Sequence, residues 1–136
     1  MMKNLLIAAV ALALLPAPVF AGGGTKNATQ LQVTNNSNGT VAVLIDNNVT
    51  TNAQLINLSN AQFRARGGFF LNAGESATIN LRAGNHRIRA AVLNATTNRV
   101  EAAGRIGTVN VNVRQNQTTR VAIDGTAATT AVLTVQ

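Results

Sequence analysis

From Gln30 onward, apolar residues recur at every second position in short runs. A period of two puts alternate side chains on opposite faces of an extended backbone, so these runs read as half-buried strands. Leu31 and Val33 alternate with Gln30, Gln32 and Thr34. Thr40–Asp46 is apolar on both faces, with Val41, Val43 and Ile45 on one and Ala42 and Leu44 on the other, the pattern of a central strand. Ser76–Arg82 turns Ala77, Ile79 and Leu81 inward and Thr78, Asn80 and Arg82 outward, and Arg87–Leu93 follows with Ile88, Ala90 and Val92 on one face. Thr108–Arg114 and Thr118–Asp124 bring Val109, Val111 and Val113 to face Val121 and Ile123, and Thr129–Val135 supplies a last strand.

The breaks between these runs carry turn chemistry. Asn35-Asn36-Ser37-Asn38-Gly39 contains Asn-Gly, the strongest short hairpin signal. Ala83-Gly84-Asn85 and Gln115-Asn116-Gln117 read as the turns of two further hairpins. Asn47–Asn60 has no clean period and reads as an irregular strand or a long connection, whereas Gln62–Arg66 alternates again, Phe63 and Ala65 against Arg64 and Arg66. No 3.6-residue period of helix length occurs after the N-terminal segment. About seven to nine short strands at regular spacing predict an all-β antiparallel sandwich.

The N-terminal segment differs. Lys3, the apolar run Leu5–Leu15, Pro16 and Pro18, and then Val19-Phe20-Ala21 have the layout of a secretory signal peptide cleaved before Gly22. The apolar run falls well short of the roughly 20 residues that span a bilayer. The expected organisation is a signal peptide at 1–21, a flexible leader at 22–29 and a single β-sandwich domain at 30–136. The expected location is secreted or periplasmic, with no transmembrane anchor.

Composition restricts the chemistry. The chain has no Cys, Trp or Tyr, one His and four acidic residues, and its formal net charge is +7. Disulfide scaffolds, thiol catalysis and thiolate zinc sites are excluded. Ser37, Ser59 or Ser76 with His86 and an Asp could be drawn as a triad, but Gly74-Glu75-Ser76-Ala77-Thr78 lacks the second Gly of a nucleophile elbow. The four acids lie in separate segments, and no metal-ligand spacing surrounds His86. No cofactor and no enzymatic activity are expected.

Arginine is the feature left over. Its planar fork suits carboxylate, phosphate and sulfate groups. Strand alternation puts Arg82, Arg87 and Arg89 on one outward face around the Ala83–Asn85 turn, a candidate anion-binding patch. In Phe63-Arg64-Ala65-Arg66-Gly67-Gly68-Phe69-Phe70 the aromatics interleave with Arg as in single-strand nucleic-acid binders. Phe63 shares its face with Ala65, however, as a core residue would, and no nucleic-acid partner is expected.

The stretch Leu71–Ile88, with its Gly-Glu-Ser entry, alternating strand, Ala-Gly turn and second alternating strand, resembles bacterial extracytoplasmic immunoglobulin-like and PEGA-like sandwich modules. Gln30–Asp46 is similar to the way such modules open. The prolines and Gly-Tyr end of PEGA modules are absent. The resemblance implies a module that binds, spaces or decorates. The expected function is an exported, non-catalytic binding or structural module whose partner is an anionic envelope polymer or another envelope protein. The alternatives are a secreted hydrolase with a shallow carboxylate or His86 site, and a self-assembling surface or matrix subunit.

Overall fold

Short connections in this chain carry it from one sheet to the other, and long connections return it to the same sheet. A computed structural model describes residues 28–136. The expected signal peptide, and the expected leader up to residue 27, lie outside the described residues. The elements are β1 (Gln30–Asn35), β2 (Val41–Ile45), helix α1 (Asn60–Ala65), β3 (Phe69–Leu71), β4 (Ser76–Asn80), β5 (Gly84–Val92), β6 (Gly107–Val113), β7 (Thr118–Asp124) and β8 (Val132–Val135). They form two four-stranded sheets, β4-β1-β7-β8 and β3-β2-β5-β6, packed as a β-sandwich. All pairings are antiparallel except β1 with β7, which run parallel from Gln30↔Thr118 to Asn35↔Ile123.

The inter-sheet core is the one the alternation predicts. Leu31, Val33, Val41, Val43, Ile88, Ala90, Val92, Val111, Val113, Val121 and Ile123 are all buried in one cluster. The three expected hairpins do not form. β1 and β2, β4 and β5, and β6 and β7 each belong to opposite sheets. Their turns are corners of the sandwich, and a tight polar turn serves a corner as well as a hairpin. At the first corner, Asn35 is fully buried and its amide donates to the carbonyls of Gly39 (2.7 Å) and Leu71 (2.9 Å). Its Oδ1 accepts from the N–H and Oγ of Ser37 (2.9 and 2.6 Å). Bonds that a hairpin ladder would make with backbone are made here by one side chain.

The long connections explain why β2 and β5 are apolar on both faces. Residues 46–68, between β2 and β3, and residues 93–106, between β5 and β6, fold over the outer face of the second sheet. There Ala42, Leu44 and Ala91 from the strands meet Leu55, Phe63, Leu93, Val100 and Ile106 from the connections in a second core. Part of this layer is helical, and Gln62–Arg66 is not a strand. Ser59 Oγ accepts from Gln62 N–H (3.2 Å) and Gln62 Oε1 accepts from Ser59 N–H (2.8 Å), a reciprocal cap that starts α1. Phe63 is the buried residue of the helix, as its core reading requires.

Candidate functional site: an arginine-rich layer and a histidine clamp

The layer over the second sheet gathers most of the arginines. Arg64 lies on α1 with its guanidinium 4.9 Å from the Phe70 ring centroid. Phe70 in turn packs on Phe63 at 5.3 Å between centroids. Asn47 Nδ2 donates to the carbonyl of Arg66 (2.9 Å), Arg87 donates to Asn48 Oδ1 (3.2 Å), and Arg99 donates to the carbonyl of Asn57 (2.8 Å). These acceptors are neutral. Of the nine arginines, all within the described residues, none lies within ion-pairing distance of a carboxylate; the ion pair formed there joins His86 to Asp46.

The predicted trio is divided by the fold. Arg82 is exposed in the crossing from β4 to β5. Arg87 and Arg89 lie on the outer face of the second sheet, since Ile88 and Ala90 between and beyond them face the inter-sheet core. Arg87 is half-buried, but Arg89 is only 2% exposed, which corrects its expected outward position. The cause is the connection after β2, which covers that face. Arg89 donates to Asn52 Oδ1 (2.8 Å) and to the carbonyl of Asn47 (2.6 Å), tying the connection down. Burial, and then the charge of Arg87, push its guanidinium below its ordinary value. Its apolar stem lines a void of about 10 Å³ with Leu44, Leu55 and Phe63, too small for more than a single water.

His86 sits on the inner face of β5 at the end of the core. Its Nδ1 pairs with Asp46 Oδ2 and its Nε2 meets the carbonyl of Arg82 at 2.7 Å. A carbonyl only accepts, so Nε2 carries a proton there, and the ring is best satisfied when doubly protonated. Burial works against that charge. The Asp46 hydrogen bond, the Arg82 carbonyl and the Asp46 charge outweigh it and raise the pKa above 6.5. Asp46 Oδ1 also accepts from Arg87 N–H (2.9 Å), with Asp46 held at φ 59° to reach it. With both ring nitrogens engaged, His86 has the geometry of a clamp between β2, β5 and the β4–β5 crossing rather than of a general base.

A second concavity opens at the far edge, between β6 and β7–β8. It is a shallow groove of about 430 Å³ lined by Asn110, Asn112, Arg114, Thr119, Val135 and their neighbours. Among the described residues no group of three His, Cys, Asp or Glu is placed to hold a metal ion, and no helix is long and apolar enough to cross a membrane.

Sequence reasoning missed Asn35, Asn47, Asn48 and Asn52, whose side chains and carbonyls organise the corner and the arginine layer. Asn is so abundant that nothing in the pattern marks these four, although the Ser59-x-x-Gln62 cap was readable.

These features define a two-sheet β-sandwich whose second sheet is covered on its outer face by a basic layer. No protein-family model matches the sequence, and no curated protein matches it. Among solved structures, the chain is similar to the T6SS lipoprotein TssJ1 from Pseudomonas aeruginosa, at 12% identity and a TM-score of 0.41, over 80% of this chain and 97% of that one.

Proposed function

We propose that the protein is an exported, non-catalytic binding module of the cell envelope or extracellular space, and that its arginine-rich layer takes an anionic polymer. The observation that carries this reading is the absence of any Arg–carboxylate pair among nine arginines. Arg64, Arg66 and Arg99 belong to the covering layer and Arg87 to the strand face beneath it. The guanidinium groups of Arg87 and Arg99 donate to neutral oxygens and that of Arg64 lies over an aromatic ring, so their charge is left without an ion-pair partner. Such a surface attracts polyanions, and the planar fork of Arg fits carboxylate, phosphate and sulfate. Of the trio read from the sequence, Arg82 and Arg87 stay in the proposal and Arg89 leaves it, being committed to Asn47 and Asn52. The two-sheet architecture with crossing corners supports kinship with immunoglobulin-like modules as part of the same reading.

Binding to lipopolysaccharide and to an acidic polysaccharide, against neutral dextran as control, tests it. Affinity should fall as salt rises, since exposed charges are screened over about 8–10 Å near physiological ionic strength. Replacing Arg64, Arg66 and Arg99 by Ala should weaken binding more than replacing Arg114 and Arg120. Equal affinity for dextran, or equal effects of the two sets, would overturn the reading.

A further inference from the structure

We propose that two copies of this chain pair antiparallel through β8, about a two-fold axis at Thr134, joining their β4-β1-β7-β8 sheets into one. β8 is an edge strand, and its sequence Val132-Leu133-Thr134-Val135 has neither charge nor proline, the usual protections of an edge. Val132 is 57% and Val135 45% exposed, two of the three large apolar residues that stand out from the surface among the described residues. Val135 pairs with the fully buried Val121 and so belongs to the inner face; it is exposed because the sheets part beside it at the groove.

The other edges are less suited. β3 has only three residues. β4 lies between the charges of Glu75 and Arg82 and presents Ser76, Thr78 and Asn80 outward. β6 is tied at its start to the segment leading into β8, where Ala131 N–H donates to the Arg105 carbonyl (3.0 Å). Beyond Ala131 the edge of β8 is open.

The register follows from the ladder. Gln136 N–H donates to the Arg120 carbonyl (2.9 Å), so Val132 and Thr134 also point their N–H groups at β7. Leu133 and Val135 point theirs outward. Pairing Leu133 with the partner's Val135, and the reverse, satisfies both and sets Thr134 opposite the partner's Thr134. That central pair is non-hydrogen-bonded, with Cα atoms about 4.5 Å apart. On the outer face the row then reads Asp124, Val132, the partner's Gln136 and the partner's Arg120, with opposite charges at its two ends. On the inner face Val135 gains the partner's Leu133 as a neighbour. So short a strand contact belongs to the weak, reversible class of interface.

Because the chain has no cysteine, Thr134→Cys provides a direct test: a Cα spacing of about 4.5 Å lies within the range a disulfide bridges. Under mild oxidation Thr134→Cys should form a covalent dimer well before Thr78→Cys, on the outer face of edge strand β4. Sedimentation of the wild type should show a concentration-dependent dimer. Thr134→Lys and Thr134→Glu should each be monomeric, since like charges then oppose each other at the axis, and a mixture of the two should pair. A wild type that stays monomeric throughout, a Thr134→Cys that links no faster than Thr78→Cys, or a dimer indifferent to Thr134→Lys would each overturn the proposal.

Discussion

The Asp46 carboxylate and the His86 imidazole form an ion pair that joins the end of β2 to the start of β5. Two backbone groups complete it: the Arg87 N–H donates to Asp46 Oδ1, and the Arg82 carbonyl meets the other ring nitrogen.

The sign of its pH dependence is set by the raised pKa of His86. A group that binds its proton more tightly folded than unfolded stabilises the fold fully below its unfolded pKa of about 6.5, and that contribution is lost as pH rises through the folded value. Thermal melts from about pH 6 to pH 9 should therefore show wild type losing stability relative to His86→Gln. Parallel curves for the two proteins would mean the pair contributes nothing.

Asn35 should be the costliest uncharged polar residue to truncate. Asn35→Ala removes the donor from the Leu71 carbonyl and the acceptor from Ser37 at a site closed to water. Denaturant unfolding should show a loss of at least about 1–3 kcal/mol, the range for one buried group left unpaired. Ser37→Ala, which leaves Asn35 bonded to both carbonyls, should lose about 1 kcal/mol.

Arg87 and Arg89 should part company under mutation, though they are two residues apart on one face. Arg87→Ala should change stability by about 0.5 kcal/mol or less, as at other partly exposed sites. Arg89→Ala should cost about 2–5 kcal/mol, because it empties volume in the second core and frees Asn47 and Asn52. Arg89→Met, which refills the stem, should recover much of that loss, as measured by the same unfolding curves.

Gly107 is a position where a single methyl group decides. A Cβ there would lie 1.9 Å from the Ala131 carbonyl oxygen and 2.9 Å from Leu133 Cδ1. The obstacle is backbone, so Gly107→Ala must push the segment leading into β8 away from β6. A melt should show a loss of about 1–3 kcal/mol or more, the usual cost of overpacking. Gly104→Ala, three residues earlier with nothing near its Cβ, serves as the control.

How much of this was legible depends on the range of the interaction. Strand identity is local: alternation in Ser76–Asn80 or Thr118–Asp124 shows which side chains turn inward, and Val121 and Ile123 are buried as read. Strand partners are not local. Asn-Gly at 38–39 marks a tight reversal, but the same turn joins neighbours in one sheet or strands in opposite sheets, and the Asn35 bond to the Leu71 carbonyl across the chain favours the latter. α1 was hidden because Phe63 alone of its six residues is buried, which leaves no helical period to see. Arg89 was misplaced for a related reason. Alternation shows that it opposes Ile88, but only the course of residues 46–68 shows that its face is covered.

The parallel pairing of β1 with β7 has a consequence for timing. Of the described strands β1 is the first to leave a ribosome, and its two neighbours are β4 and β7, so Leu31 has to wait for Thr119 before its ladder is complete. Contacts that span so much of the sequence close slowly and late. N-terminal fragments ending before residue 118 should remain without a stable tertiary structure, and the sandwich should assemble in one late, cooperative step. Until then the chain stays threadable, the state that the export proposed above would demand.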